Sequence, residues 1–141
     1  MAVWNVGPYD NDHAVDWCAS LEATLPEDRA RLVEATLEEA VRSGAGLTEE
    51  TASHAVAAAA TVLHAAAGVQ SSTSAYAPRL ASHDGILSTP ALRVLAVQAL
   101  EVVTRDGSAW RLGWADDVEE DEALEVITSL RLRLASIDQT A

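Results

Sequence analysis

Between Glu50 and Asp84 the chain has no acidic side chain, and Arg79 is the only Lys or Arg in that stretch. Elsewhere the sequence is strongly acidic, with a formal net charge of −13 over 141 residues. A stretch so poor in charge, inside so charged a chain, has little reason to face water. Its first part, Ala52–Ala67, is mostly alanine, the best helix former, which also lets neighbouring backbones approach closely. Thr48 stands where an N-cap belongs, and Gly68 where a helix stops. The segment reads as a helix surrounded by other helices. It is also the nearest thing to a membrane span, but it is short for a bilayer and carries Ser53, His54, Thr61 and His64.

The remaining apolar residues recur at helical spacing. A first helix carries Ala14, Trp17, Cys18, Leu21 and Leu25 on one stripe, with Asp12 and Asp16 opposite. Thr24-Leu-Pro-Glu27 predicts a capping box for a second helix, which buries Ala30, Val33, Leu37, Ala40 and Val41 and stops at Gly44. Thr89-Pro90 is an N-cap followed by proline at the first helical position. The helix that follows has only Arg93, Gln98 and Glu101 as polar residues up to Val103, which makes it central too. Asp106-Gly-Ser108 breaks it, and Ser108–Ala115 reads as a short helix with Trp110 and Trp114 on one face. A last helix has the core stripe Leu124, Ile127, Leu130, Leu134 and Ile137.

No segment alternates with period two, and no internal repeat is visible. The expectation is an all-α fold. It is a compact bundle of about five main helices plus one or two short ones, preceded by an extended N-terminal segment. One helical domain spans 1–141, with residues 1–10 extended and 68–88 forming a long polar connection.

Composition bounds the function. All nine basic residues are arginine, and there is no phenylalanine. With abundant alanine, this is the coding bias of a GC-rich bacterial genome. A net charge of −13 repels nucleic-acid backbones and anionic lipids and favours a basic partner. The expectation is no nucleic acid and no membrane. Cys18 is the only cysteine, so no disulfide forms within the chain. The opening residues show neither a basic region nor an apolar signal core, which makes the cytoplasm the expected location.

Few residues are arranged for chemistry. Asp10, Asp12, His13 and Asp16 form the most site-like cluster, because carboxylates and an imidazole together can hold a divalent cation. They do not form an EF-hand loop, since Val15 occupies the glycine position and no glutamate closes the loop. The plainer account is that they are capping carboxylates beside a surface histidine, and no metal or other cofactor is expected. Cys18 sits on the apolar stripe near acids that disfavour a thiolate, as a structural thiol does. Nucleophile elbows, phosphate loops and dinucleotide fingerprints are missing from the sequence, so no catalytic residue is assigned.

Seven acids lie between Asp116 and Glu125. They are either the solvated start of a helix or a surface that steers a basic partner. The residues that would make such a surface are Asp117, Glu119, Glu120 and Glu122. Trp110 and Trp114 would then be apolar anchors, unless they close the core instead.

The opening of the chain carries one distinctive pattern. Trp4, Gly7-Pro8-Tyr9, Asn11-Asp12, Ala14, Asp16 and Trp17 resemble a bacterial family with the pattern Trp-Gly-x-Gly-Pro-Phe-x-Asn-Asp-x-Ala-x-Asp-Phe/Trp. That family is domain of unknown function 4259. Asn5 replaces a glycine of the pattern, and Tyr9 its phenylalanine. The resemblance brings no activity. It implies that the opening packs as a unit, with Trp4 and Tyr9 against the helices and Asn11 or Asp12 holding the turn.

Three functional classes fit these observations. The first is a non-enzymatic protein-binding module, of the kind formed by immunity proteins and antitoxins, which covers a basic partner. The second is a small metal-dependent enzyme centred on Asp10, Asp12, His13 and Asp16. The third is a structural domain, with a homo-oligomer as one form. Size, acidity and the missing catalytic motifs put the first ahead.

Overall fold

A computed structural model describes residues 12–67, 89–114 and 116–139. Trp4, Gly7, Pro8, Tyr9, Asp10 and Asn11, and the connection 68–88, lie outside the described residues. Every regular element among the described residues is helical, as the periodicity requires. In chain order they are α1 (Asp12–Ala23), α2 (Arg29–Ser43), α3 (Glu49–Ala67), α4 (Pro90–Val103), the single turn α5 (Ala109–Leu112) and α6 (Asp117–Gln139).

α3 is the axis of the fold. It packs against α1, α2, α4, α5 and α6, and α4 packs against α2, α3 and α6. Ala52, Ala55 and every residue from Val56 to Leu63 are buried, so helices surround this segment as its lack of charge predicts. Small side chains make that close approach feasible, and Leu37, Val62, Leu100 and Leu134 fill the space between. The one hydroxyl in the Val56–Leu63 run is satisfied locally: Thr61 Oγ1 donates to the Ala57 carbonyl at 2.8 Å.

Caps set most of the helix starts. Thr48 Oγ1 accepts from the Thr51 amide, Thr89 Oγ1 from Leu92 and Ser108 Oγ from Arg111. Pro90 sits at the first turn of α4, where its missing N–H costs nothing. Gly44 closes α2 at φ 49°, and Gly107 turns the chain between α4 and α5 at φ 76°. Both are conformations that side chains disfavour.

The junction of α1 and α2 differs from the capping-box expectation. Pro26–Asp28 forms a 3-10 turn, and the residue ahead of α2, Asp28, makes no side-chain cap. Thr24 Oγ1 instead donates back to the Ser20 carbonyl at 2.7 Å. The Arg29 guanidinium reaches over the end of α1, donating to the carbonyls of Leu21, Glu22 and Thr24 at 3.1–3.2 Å. With no glycine to close α1, a forked donor takes up its unpaired carbonyls. Leu25, expected on the buried stripe, falls past the end of α1 and is 61% exposed.

Behind this junction Trp17 Nε1 donates to Thr36 Oγ1 at 2.9 Å, and Thr36 donates on to the Leu32 carbonyl at 2.8 Å. This buried relay ties α1 to α2. Among the described residues no helix is long and apolar enough to cross a membrane.

Candidate functional site

The acidic run begins where α5 turns into α6. Asp116 Oδ1 accepts from the Glu119 amide at 2.8 Å, so this carboxylate is used as the helix cap. Glu120 is used as well: the Arg111 guanidinium donates to its Oε2 at 3.3 Å and also pairs with Asp106. Arg111 thereby holds the α4–α5 turn and α6 together. Asp117, Asp121, Glu122 and Glu125 are exposed and Glu119 is half-buried. Among the described residues, Glu120 is the member of the run that pairs with a cation.

Trp110 and Trp114 stack edge to face, with ring centroids 5.4 Å apart and planes at 82°. Trp110 is buried, and Trp114 packs partly buried against the core cluster. Of the two readings open to this pair, Trp110 takes the one that closes the core, because its helix docks on α3. It cannot also be an exposed anchor. The Trp114 indole N–H is buried and makes no hydrogen bond. The large apolar side chains that do meet solvent here are Leu112, 74% exposed, and Val118, 68% exposed. Sequence reasoning missed both: α5 is a single turn with no periodicity to separate its faces, and Val118 stands alone among the acids that open α6.

Farther along α6 a shallow groove of about 440 Å³ is lined by Leu124, Glu125, Thr128, Ser129, Leu132 and Arg133. Leu132, part of its lining, is 62% exposed.

The cluster at the start of α1 is spread over two faces of the helix. Asp12 and Asp16 are exposed, while His13 turns toward α3. Its Nδ1 lies 4.0 Å from Glu50 Oε2, and its ring meets His54 edge-on with centroids 6.3 Å apart. Among the described residues no three His, Cys, Asp or Glu side chains are grouped to hold a metal ion. Asp10 lies outside the described residues. The partner that sequence reasoning missed is His54, which the Glu50-x-x-x-His54 spacing places one helical turn from Glu50. Burial pulls the His54 imidazole below its ordinary value of 6.5, Glu50 opposes that shift and His13 adds to it.

Cys18 is buried on α1, and its thiol is pushed up to about 12, first by burial and then by Glu22. At neutral pH it stays a protonated apolar filler rather than a nucleophile.

A family described as "Domain of unknown function (DUF4259)" matches residues 2–126, and the chain belongs to it. No curated protein and no solved structure matches the chain.

Proposed function

We propose that this protein is a non-enzymatic binding domain whose α5–α6 corner engages a basic protein surface, in the manner of a small acidic immunity protein or antitoxin. One observation carries this reading. Exposed carboxylates at Asp117, Asp121, Glu122 and Glu125 share the corner with exposed Leu112 and Val118. Capping α6 uses Asp116, and bracing Arg111 uses Glu120. Asp121, Glu122 and Glu125 lie past the first turn of α6, where the dipole effect fades, and so exceed what the helix needs. Apolar groups ringed by like charges suit an interface with an apolar centre and a charged rim. The rim steers a cationic partner, and Leu112 and Val118 replace Trp110 as the anchors.

The test is to neutralise Asp117, Glu119, Glu122 and Glu125 together, leaving Glu120 to its structural pair. Wild type and variant are then compared in pull-downs from host lysate over a salt series. The expected result is loss of one or more basic proteins that wild type captures at low salt and releases as salt rises. Retention of every captured protein at equal strength would make the corner a solvated surface and overturn the reading.

A further inference from the structure

α1 lies at the margin of the bundle. Its packing is chiefly against α3, whereas α3 and α4 each touch several helices. Two histidines meet within that one interface: His13, a third exposed on α1, and His54, half-buried on α3. Their rings are edge-on, 6.3 Å between centroids and 83° between planes. Imidazole is the common side chain whose charge ordinarily changes in the mildly acid range.

We propose that the His13–His54 contact is an acid-sensitive clasp between α1 and α3. When both rings are protonated, two positive charges face each other across the interface and α1 loosens from the core.

Among the described residues the charged groups facing His54 are Glu50 on α3, His13 and Asp16 on α1, and Glu39 on α2. The three carboxylates favour the protonated ring, while burial and His13 disfavour it, and burial outweighs them. The folded protein therefore prefers His54 neutral. The stabilisation from that preference is fully present above the ordinary value of 6.5 and is lost as pH falls through it toward the lower folded value. Because the carboxylates offset part of the repulsion, and α2, α3, α4 and α6 pack on one another without α1, α1 loosens without the domain unfolding.

Acid also lowers the overall negative charge, which acts on every helix alike. The experiment must therefore read α1 against α4. Hydrogen exchange of the full chain is measured at about pH 7 and about pH 5 and corrected for intrinsic rates, a range that spans the imidazole titration. The expected result is several-fold faster exchange in α1 relative to α4 at the lower pH. His54→Gln abolishes that excess, and His13→Gln reduces it. Should either variant fail to fold, proton NMR of wild type still decides. His54 should titrate below 6.5. An α1-to-α4 ratio that does not change with pH, an excess that survives in His54→Gln, or a His54 titrating at or above its ordinary value would each overturn the clasp.

Discussion

α3 and α6 are the two longest helices, and they meet water in opposite ways. α3, of 19 residues, is enclosed by five other helices, and its run from Val56 to Leu63 is buried without interruption. α6, of 23 residues, gives the core a single stripe, Ala123, Ile127, Leu130 and Leu134, spaced four, three and four apart. Around that stripe it shows carboxylates, Val118 and Leu132 to solvent. Their sequences announce the difference in two ways. The surface helix is recognised by where its apolar residues fall, and the central helix by the charges it lacks. The run from Val56 to Leu63 has no surface left with which to bind. In this bundle the long solvent-facing surface belongs to α6 rather than to α3.

The largest expected effect separates two neighbouring leucines of α6. Leu134 is fully buried, so Leu134→Ala should cost ~2–5 kcal/mol, the range for emptying a leucine site in a packed core. Leu132 is 62% exposed. Leu132→Ala should change stability by no more than about 0.5 kcal/mol. Urea denaturation of both variants checks the pair. Equal losses would mean that the exposed side of α6 is covered, and the comparison with α3 would collapse.

A smaller effect distinguishes the two helices by adding volume rather than removing it. Ala58 on α3 is fully buried among neighbouring helices, so Ala58→Leu should overpack the site and cost ~1–3 kcal/mol. Ala135 on α6 is exposed. The same change there should stay within about 0.5 kcal/mol. Thermal unfolding of the two variants beside wild type would show it. A harmless Ala58→Leu would mean that α3 is loosely rather than closely surrounded.

Much of the architecture was legible in the sequence because its causes are local. Stripes identify the inward faces of α1, α2 and α6, and Thr48, Thr89 and Ser108 mark helix starts through short-range bonds. The central places of α3 and α4 follow from missing charge. What escaped depends on reach or on encounter. Thr24 has a hydroxyl that can cap forward or bond backward, and composition does not say which. Arg29 covers the end of α1 through a long side chain that leaves no periodic trace. His13 and His54 belong to different helices, so their contact exists only once α1 is laid on α3. At the candidate binding corner, the acids were readable as a run. Their division into cap, brace and exposed rim required Asp116 and Arg111 to be placed in space.

The smallest expected effect concerns that rim and tests whether its charges repel one another in the free protein. Seven carboxylates fall within Asp116–Glu125, and only the pair with Arg111 brings a cation to them among the described residues. Exposed charges act through water and are weakened by salt over a Debye length of ~8–10 Å, somewhat under two turns of α6 at about 5.4 Å each. Raising sodium chloride from low to physiological strength should therefore stabilise the folded protein. The sign is opposite to that of a protein held together by surface ion pairs. Part of the gain belongs to the whole chain, whose net charge is −13, and part to the rim itself. Neutralising Asp117, Glu119, Glu122 and Glu125 separates the two. The variant should be more stable than wild type at low salt and should gain less on adding it. A matching pair of exposed glutamates far from the corner, Glu34 and Glu38 on α2, serves as the control and should reduce the salt response less per charge removed. Denaturation midpoints across a salt series measure both slopes. If the rim variant and the α2 control lose equal salt response per charge, repulsion is spread evenly over the surface, and α6 loses its distinction as the place where a basic partner would gain most.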